Sequence, residues 1–410
     1  MTLAQQQELE NQYVMHTFGR KPVEFVSGEG MRLTDDEGNL YLDFIGGIGV
    51  ISLGHCHPKL VDAISAQAAK LIHVSNYYYI ENRGELANQL SDLLNLTVPE
   101  DKREPWQTFF ANSGAEANEC AIKLARLVAR RRADAQGKEN TKRLVVVLEK
   151  SFHGRTLATL AATAQPVKQD LFQPLPDGFV AIEANNVAAL EDVFAKCGDQ
   201  ICGLLMEPIQ GESGVHPLTK EFMEAARRLT TENDALLMLD EVQCGMYRCG
   251  TYPYAFQHYG IVPDVVSMAK GIAGGIPMGA CAAPASIACA YEPGDHGSTF
   301  GGSNIAITAA KTTLDTIAEE GIAESVTEVG SYFKSKLKLV EGVTQVRGMG
   351  LMLAADLDDK YTASDIVLAG LGEGLVLNAT GPHTLRFLPP LVCTKHDVDI
   401  LIERLRKLLA

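Results

Sequence analysis

Five short apolar runs, at residues 107–111, 144–148, 203–206, 235–239 and 264–268, are continuous instead of alternating. A strand with one face in water alternates apolar and polar side chains, so continuous runs predict strands covered on both faces. The segments between them read as helices. Residues 115–132 place Ala121, Leu124, Ala125 and Val128 at helical spacing, and 220–233 and 304–320 repeat the pattern less cleanly. Strand and helix signals in alternation predict an α/β domain with a largely parallel sheet over residues 106–320.

The flanking regions differ from this block. Residues 1–105 begin with a helix over 2–16, pass through a glycine-punctuated stretch at 28–44 that reads as short antiparallel strands, and end in helices around 59–71 and 83–94. Residues 321–410 open with a helix up to Glu341, hold strand candidates at 349–356 and 384–387, and finish with an amphipathic helix from Lys395. A large central domain, 106–320, and a smaller one assembled from 1–105 and 321–410 are therefore expected. The longest uncharged stretch, 271–291, has bilayer length, but Gly274, Gly275, Pro277, Gly279 and Pro284 interrupt it. It reads as buried backbone near a site.

Charge and cysteine usage narrow the function classes. Fifty-one acidic against thirty-six basic residues, a net charge of −15, disfavour a hold on nucleic-acid phosphates. Nine cysteines without a C-x-x-C spacing give neither a disulfide framework nor a structural zinc site, so no metal is expected. His55-Cys56-His57 puts neighbouring ligands on opposite sides of an extended chain. With glutamines and glutamates at 1–16 instead of a basic segment and apolar core, a cytoplasmic protein without a membrane anchor is expected.

In a parallel sheet, ligands bind beyond the carboxyl ends of the strands, so the residues following each run are candidates. After 107–111 comes Asn112-Ser113-Gly114-Ala115-Glu116. Free amides at a helix start with a glycine offer an anion site, while Ser113 with Glu116 three residues on also fits an ordinary capping box. After 235–239 comes Asp240-Glu241-Val242-Gln243, a carboxylate at the end of a buried strand that calls for a cationic partner. After 264–268 comes Ala269-Lys270-Gly271, where desolvation would lower the lysine's proton affinity and suit it to Schiff-base chemistry; elsewhere a lysine is best read as snorkelling. Neither a dinucleotide fingerprint nor a P-loop is present, and neither is H-E-x-x-H or G-x-S-x-G. A phosphate, a pyridinium nitrogen and an aldehyde would find their counterparts here, which fits pyridoxal phosphate.

These motifs stand in an order that resembles the class III aminotransferases of pyridoxal-phosphate fold type I, closest to the acetylornithine and succinylornithine branch. The resemblance spans nearly the whole chain and rests on NSGAEANECAIKLAR from Asn112, FHGRT from Phe152, EPIQGESGV from Glu207, LDEVQCG from Leu239, PDVVSMAKG from Pro263 and GSTFGG from Gly297. It implies an α/β transferase with a large central domain and a smaller α+β domain from both chain ends. By the same resemblance, Lys270 bonds the cofactor aldehyde and shuttles the proton, and Asp240 pairs with the ring nitrogen. Ser113, Gly114 and Ala115 cradle the phosphate, Phe152 and Val242 cover the two ring faces, and Gln243 meets the ring hydroxyl. Thr299 reaches the phosphate of the neighbouring subunit and Ser298 lies near substrate, so a homodimer with a shared site is implied.

The substrates implied are an amine donor and 2-oxoglutarate, returned as glutamate. Two carboxylates on 2-oxoglutarate want two arginines, and Arg155 and Arg386 occupy the family's positions. A donor presenting its distal amine sets its α-carboxylate at Arg155 and leaves Arg386 without an anion, a gap that Glu212 can fill. Free-ornithine enzymes of the family tend to carry an aromatic residue where this chain has Ile48, which favours an acylated donor. N-Acetylornithine is therefore the expected donor, giving N-acetylglutamate semialdehyde in arginine biosynthesis. Succinylornithine, free ornithine, acyl-lysine and 4-aminobutyrate are the alternatives. Tyr77-Tyr78-Tyr79 and Met246-Tyr247-Arg248-Cys249-Gly250 depart from the usual pattern and could alter the acyl group accepted. A non-catalytic cofactor-binding homologue would have no physical need to keep Lys270, Asp240, Arg155, Arg386 and Glu212 together.

Overall fold

Seven strands form the central sheet in the order Trp106–Ala111, Gly279–Pro284, Val265–Met268, Leu236–Asp240, Ile201–Met206, Leu144–Leu148, Phe179–Ile182. The structure is a computed structural model and describes residues 1–410. All five continuous apolar runs lie in this sheet, and Ile201–Met206 and Leu236–Asp240 are buried at every position. Neighbouring strands are parallel except Gly279–Pro284, which runs antiparallel to both of its partners. An α/β architecture with a mostly parallel sheet follows from covering both faces with helices, including Gly114–Ala135, Lys220–Glu232 and Asn304–Glu319.

Three elements of the central block are not singled out by the sequence reading. Gly279–Pro284, inside the uncharged stretch, is Gly-Ala-Cys-Ala-Ala-Pro, without a β-branched or aromatic residue to mark a strand. Its small residues answer a close approach: a Cβ on Gly279 would stand 2.1 Å from the Ser113 carbonyl oxygen. Phe179–Ile182, Phe-Val-Ala-Ile, is an edge strand, only partly buried and as short as a turn segment, which is how it goes unmarked among the other runs. The helix Val187–Cys197, capped by Asn186, packs against the helix Lys220–Glu232.

The chain ends build two further sheets. Phe25–Glu29, Arg32–Asp35 and Leu40–Asp43 form an antiparallel meander, joined in parallel by Leu375–Val376 from the far end of the chain. Val343–Met349, Met352–Leu357, Thr384–Phe387 and Asn378–Ala379 form the other, all antiparallel. The strand expected at 349–356 is thus divided by a tight turn at Gly350, whose φ of 55° lies in the left-handed region open to glycine. The first helix, Leu3–Tyr13, buries none of its side chains and stops short of the expected end at residue 16. His55 pairs with Asp43 at 2.8 Å and His57 with Glu320 at 3.5 Å. No helix is long and apolar enough to cross a membrane.

Candidate active site

A cavity of about 470 Å³ opens at the carboxyl ends of the central strands. Ser113, Gly114, Phe152, Asp240, Val242 and Lys270 are among its lining residues, with Ala115, Arg155 and Gln243. One wall is the start of the helix Gly114–Ala135, directly after Trp106–Ala111. The Ser113 hydroxyl accepts the Glu116 N–H at 3.2 Å, so Ser113 caps this helix. Glu116 does not complete a capping box, because its carboxylate accepts the Asn112 backbone N–H at 2.6 Å and side-chain amide at 2.9 Å. Gly114 and Ala115, at the start of the helix, line the cavity with N–H groups that have no intrahelical partners, as an anion site requires. Gly114 is needed for packing: a Cβ there would lie 2.8 Å from Val242.

Asp240 ends its strand at 3% exposure, and the partner it was expected to need is not a lysine or arginine. Its Oδ2 accepts the His153 Nδ1–H at 2.8 Å and the Asn118 amide at 2.7 Å, and Oδ1 accepts the Val242 N–H at 3.0 Å. A carboxylate only accepts, so the proton between these groups belongs to His153 Nδ1. The Ser267 hydroxyl donates to Asn118 at 2.5 Å and holds the amide's orientation. His153 Nε2 is buried without a partner. Three elements thus fix one carboxylate, and Oδ1 keeps accepting capacity.

Lys270 follows the adjacent strand Val265–Met268 with a φ of 48°, a left-handed conformation that is strained in any residue with a Cβ. Burial lowers its amine's proton affinity, against the opposing pull of Glu212 and Asp240. Two further buried carboxylates escaped the sequence reading. Glu207 directly follows Ile201–Met206 and accepts the N–H groups of Phe152 at 2.9 Å and Gly211 at 3.1 Å. Burial pushes it up to about 7, and the same strand-end logic that singled out Asp240 points to it. Glu241 accepts the N–H groups of Ala255 at 2.9 Å and Phe256 at 2.8 Å, and burial pushes it also up to about 7.

Arg386, on Thr384–Phe387 and only 2% exposed, brings a charge to the site from a sheet other than the central one. Its Nη1 donates to Glu212 at 2.5 Å and to Gln243 at 3.1 Å, while Nε and Nη2 both donate to Asn378 Oδ1. Gln243 in turn donates to Glu212 at 3.2 Å. Burial would raise the Glu212 carboxyl, but Arg386 outweighs it and holds the group below its usual range. Arg155 is exposed, with its guanidinium carbon 5.6 Å from the centre of the Phe152 ring. Lys168, not singled out from the sequence, stands 5.5 Å from the same ring. Ser298 accepts a hydrogen bond from the Asn112 amide at 3.0 Å, and Thr299 is exposed; neither lines the cavity.

An α/β sheet that delivers a desolvated amine, an anchored carboxylate and an anion-binding helix start to one cavity defines a group-transfer enzyme built for a carbonyl cofactor. The chain belongs to the class-III aminotransferase family, whose model matches residues 15–409. It is 43% identical over 402 residues to an acetylornithine aminotransferase of Methanocaldococcus jannaschii, covering 97% of this chain and 96% of that one. An acetylornithine aminotransferase structure from Elizabethkingia anophelis superposes with a TM-score of 0.85 at 30% identity, covering 100% and 99% of the two chains. An ornithine aminotransferase structure from Toxoplasma gondii, with PLP at partial occupancy in its active site, gives 0.91 at 28% identity over 100% and 94%.

The ion pair makes a stability prediction. Because the folded-state pKa of Glu212 is depressed, its contribution is present above the ordinary value of 4.5 and is lost as pH falls through the folded value. Glu212→Gln should cost about 1.5–3 kcal/mol near neutral pH, as expected for a charged hydrogen bond. In urea titrations the gap from the unmodified protein should close as the pH drops below 4.5. A gap that stays constant into acid would contradict the assignment.

Proposed function

We propose that the protein is a cytoplasmic enzyme of arginine biosynthesis. It transfers the distal amino group of N-acetylornithine to 2-oxoglutarate, giving N-acetylglutamate semialdehyde and glutamate in two half-reactions. The carrying observation is the Arg386–Glu212 pair at the edge of the cavity, hydrogen-bonded to its lining residue Gln243. A buried arginine without an anion is costly, and a donor that enters distal amine first brings none to that end of the site. Glu212 supplies it. When glutamate or 2-oxoglutarate binds, its own distal carboxylate takes Arg386 in bidentate geometry, while Arg155 takes the α-carboxylate of either substrate. The likeness to acetylornithine aminotransferases supports the acylated donor. So does Ile48, 42% exposed and without a polar atom to receive a charged α-amine.

The residues present fit pyridoxal phosphate, since a cradle, a carboxylate and an amine converge on one cavity. When bound, the cofactor supplies an electrophilic aldehyde and a ring that accepts electrons. Ser113 and the N–H groups of Gly114 and Ala115 would hold its phosphate. Asp240 would keep a proton on the ring nitrogen, and the His153 and Asn118 hydrogen bonds hold its carboxylate aimed. Phe152 and Val242 would bracket the ring. Gln243 would reach the ring hydroxyl with the amide hydrogen that Glu212 leaves free. Lys270 Nζ would bond the aldehyde carbon at rest and take and return the proton at the substrate carbon bearing the amine.

The proposed site lies between the central domain, 106–320, and the smaller part from 1–105 and 321–410, and is completed by a second copy of the chain. Ser298 and Thr299 stand outside the cavity of their own protomer, and Tyr77, Tyr79 and Phe300 expose large apolar faces at 94%, 102% and 63%. A partner covering that face would let Thr299 reach the phosphate of the opposite site and place Ser298 near its substrate.

Lys270→Ala should abolish turnover, and retained transamination would sink the mechanism. Glu212→Ala should slow the half-reaction with N-acetylornithine about ten-fold more than the one with glutamate; equal losses would refute the gating role. Light scattering should return twice the 44.3 kDa chain mass, and a stable active monomer would remove the shared site.

A further inference from the structure

Gating by Glu212 raises a charge problem that the pair with Arg386 does not solve. When a substrate carboxylate takes Arg386, the Glu212 carboxylate, 27% exposed, loses its cation in a partly dehydrated site. A half-buried carboxylate without a cation biases the switch toward the paired state. Some second cation must make the released state comparable in free energy. Arg155 is committed to the substrate's α-carboxylate in both half-reactions.

With Lys270 assigned to the cofactor aldehyde and the substrate proton, Lys168 is the nearby cation without a role. It lies on the short helix Pro166–Gln169, is half-buried, and has no carboxylate partner: its ammonium donates to the Gln165 side chain. Gln165 is itself fixed, donating to the backbone carbonyls of Lys150 at 3.2 Å and Ser151 at 2.8 Å. The Lys168 ammonium is thereby held 5.5 Å from the centre of the Phe152 ring. Glu207 ties the backbone of Phe152 to that of Gly211, the residue before Glu212, because its two carboxylate oxygens accept the N–H groups of both. Burial depresses the proton affinity of Lys168, and Glu212 is the foremost charge opposing that depression.

We propose that Lys168 is a specificity-determining positioning residue: it receives the Glu212 carboxylate when glutamate or 2-oxoglutarate displaces it from Arg386. The two states then carry matched pairs. With the acylated donor, Glu212 neutralises Arg386; with the dicarboxylate, the substrate neutralises Arg386 and Lys168 neutralises Glu212. The inference rests on the gating role of Glu212 argued above. Lys168 acts through Glu212 and touches neither substrate.

The test uses the holoenzyme and measures the two half-reactions separately, with N-acetylornithine alone and with 2-oxoglutarate alone. Lys168→Met, which keeps the apolar stem against Phe152, should lower kcat/KM for 2-oxoglutarate about ten-fold and leave the donor half-reaction within about two-fold. Lys168→Arg should restore most of the loss. In a Glu212→Ala background, Lys168→Met should have no further effect on the 2-oxoglutarate half-reaction. Equal losses in both half-reactions, or a loss that persists without Glu212, would overturn the role of Lys168 alone. If Glu212→Ala itself treats both half-reactions alike, the gating reading fails and this inference falls with it.

Discussion

Desolvation at the carboxyl ends of two neighbouring strands governs this site. Asp240 and Lys270 follow strands that pair in parallel, with Asp240 opposite Ser267, so opposite charges are delivered to one cavity from a rigid sheet. Neither charge is free to seek water. Asp240 stays where it is because His153, Asn118 and the Val242 N–H satisfy it, and Lys270 loses proton affinity because burial outweighs the nearby carboxylates. The surrounding glycines follow from the same crowding. Gly114 and Gly279 stand where a Cβ would strike Val242 and the Ser113 backbone.

A second charge rule holds at the edge of the cavity, beyond Gln243. Arg386 is buried more completely than any solvent-facing arginine could be, and every donor position on its guanidinium that faces protein is taken by Glu212, Gln243, Asn378 or the Gly211 carbonyl. Such an arginine is ready to exchange one carboxylate for another but not to stand alone. Under the proposed function, that exchange would let one protein accept a substrate with a single carboxylate and a substrate with two.

Much of this was legible in the sequence, for identifiable reasons. Strands buried on both faces leave continuous apolar runs, and strand ends in a parallel sheet mark the ligand side, which led to Ser113, Asp240 and Lys270. What escaped has no local signature. His153 and Asn118 reach Asp240 from 87 and 122 residues away, so the need for a partner was visible and its identity was not. Lys168 looked like any surface lysine until Phe152 and Gln165 surrounded it. Gly279–Pro284 carried no strand propensity because close packing demanded small residues. Glu207, by contrast, was within reach of the rule already in use.

The central claim is that this cavity accepts the distal amine of an acylated ornithine. Single-turnover spectroscopy tests it most directly, following the near-visible cofactor band as N-acetylornithine, succinylornithine, ornithine and 4-aminobutyrate are added separately without an oxo acid. Fastest loss of the band with N-acetylornithine is the predicted result. Faster loss with free ornithine or 4-aminobutyrate would contradict the account of Ile48 and the donor, and absence of the band after adding pyridoxal phosphate would contradict the site itself.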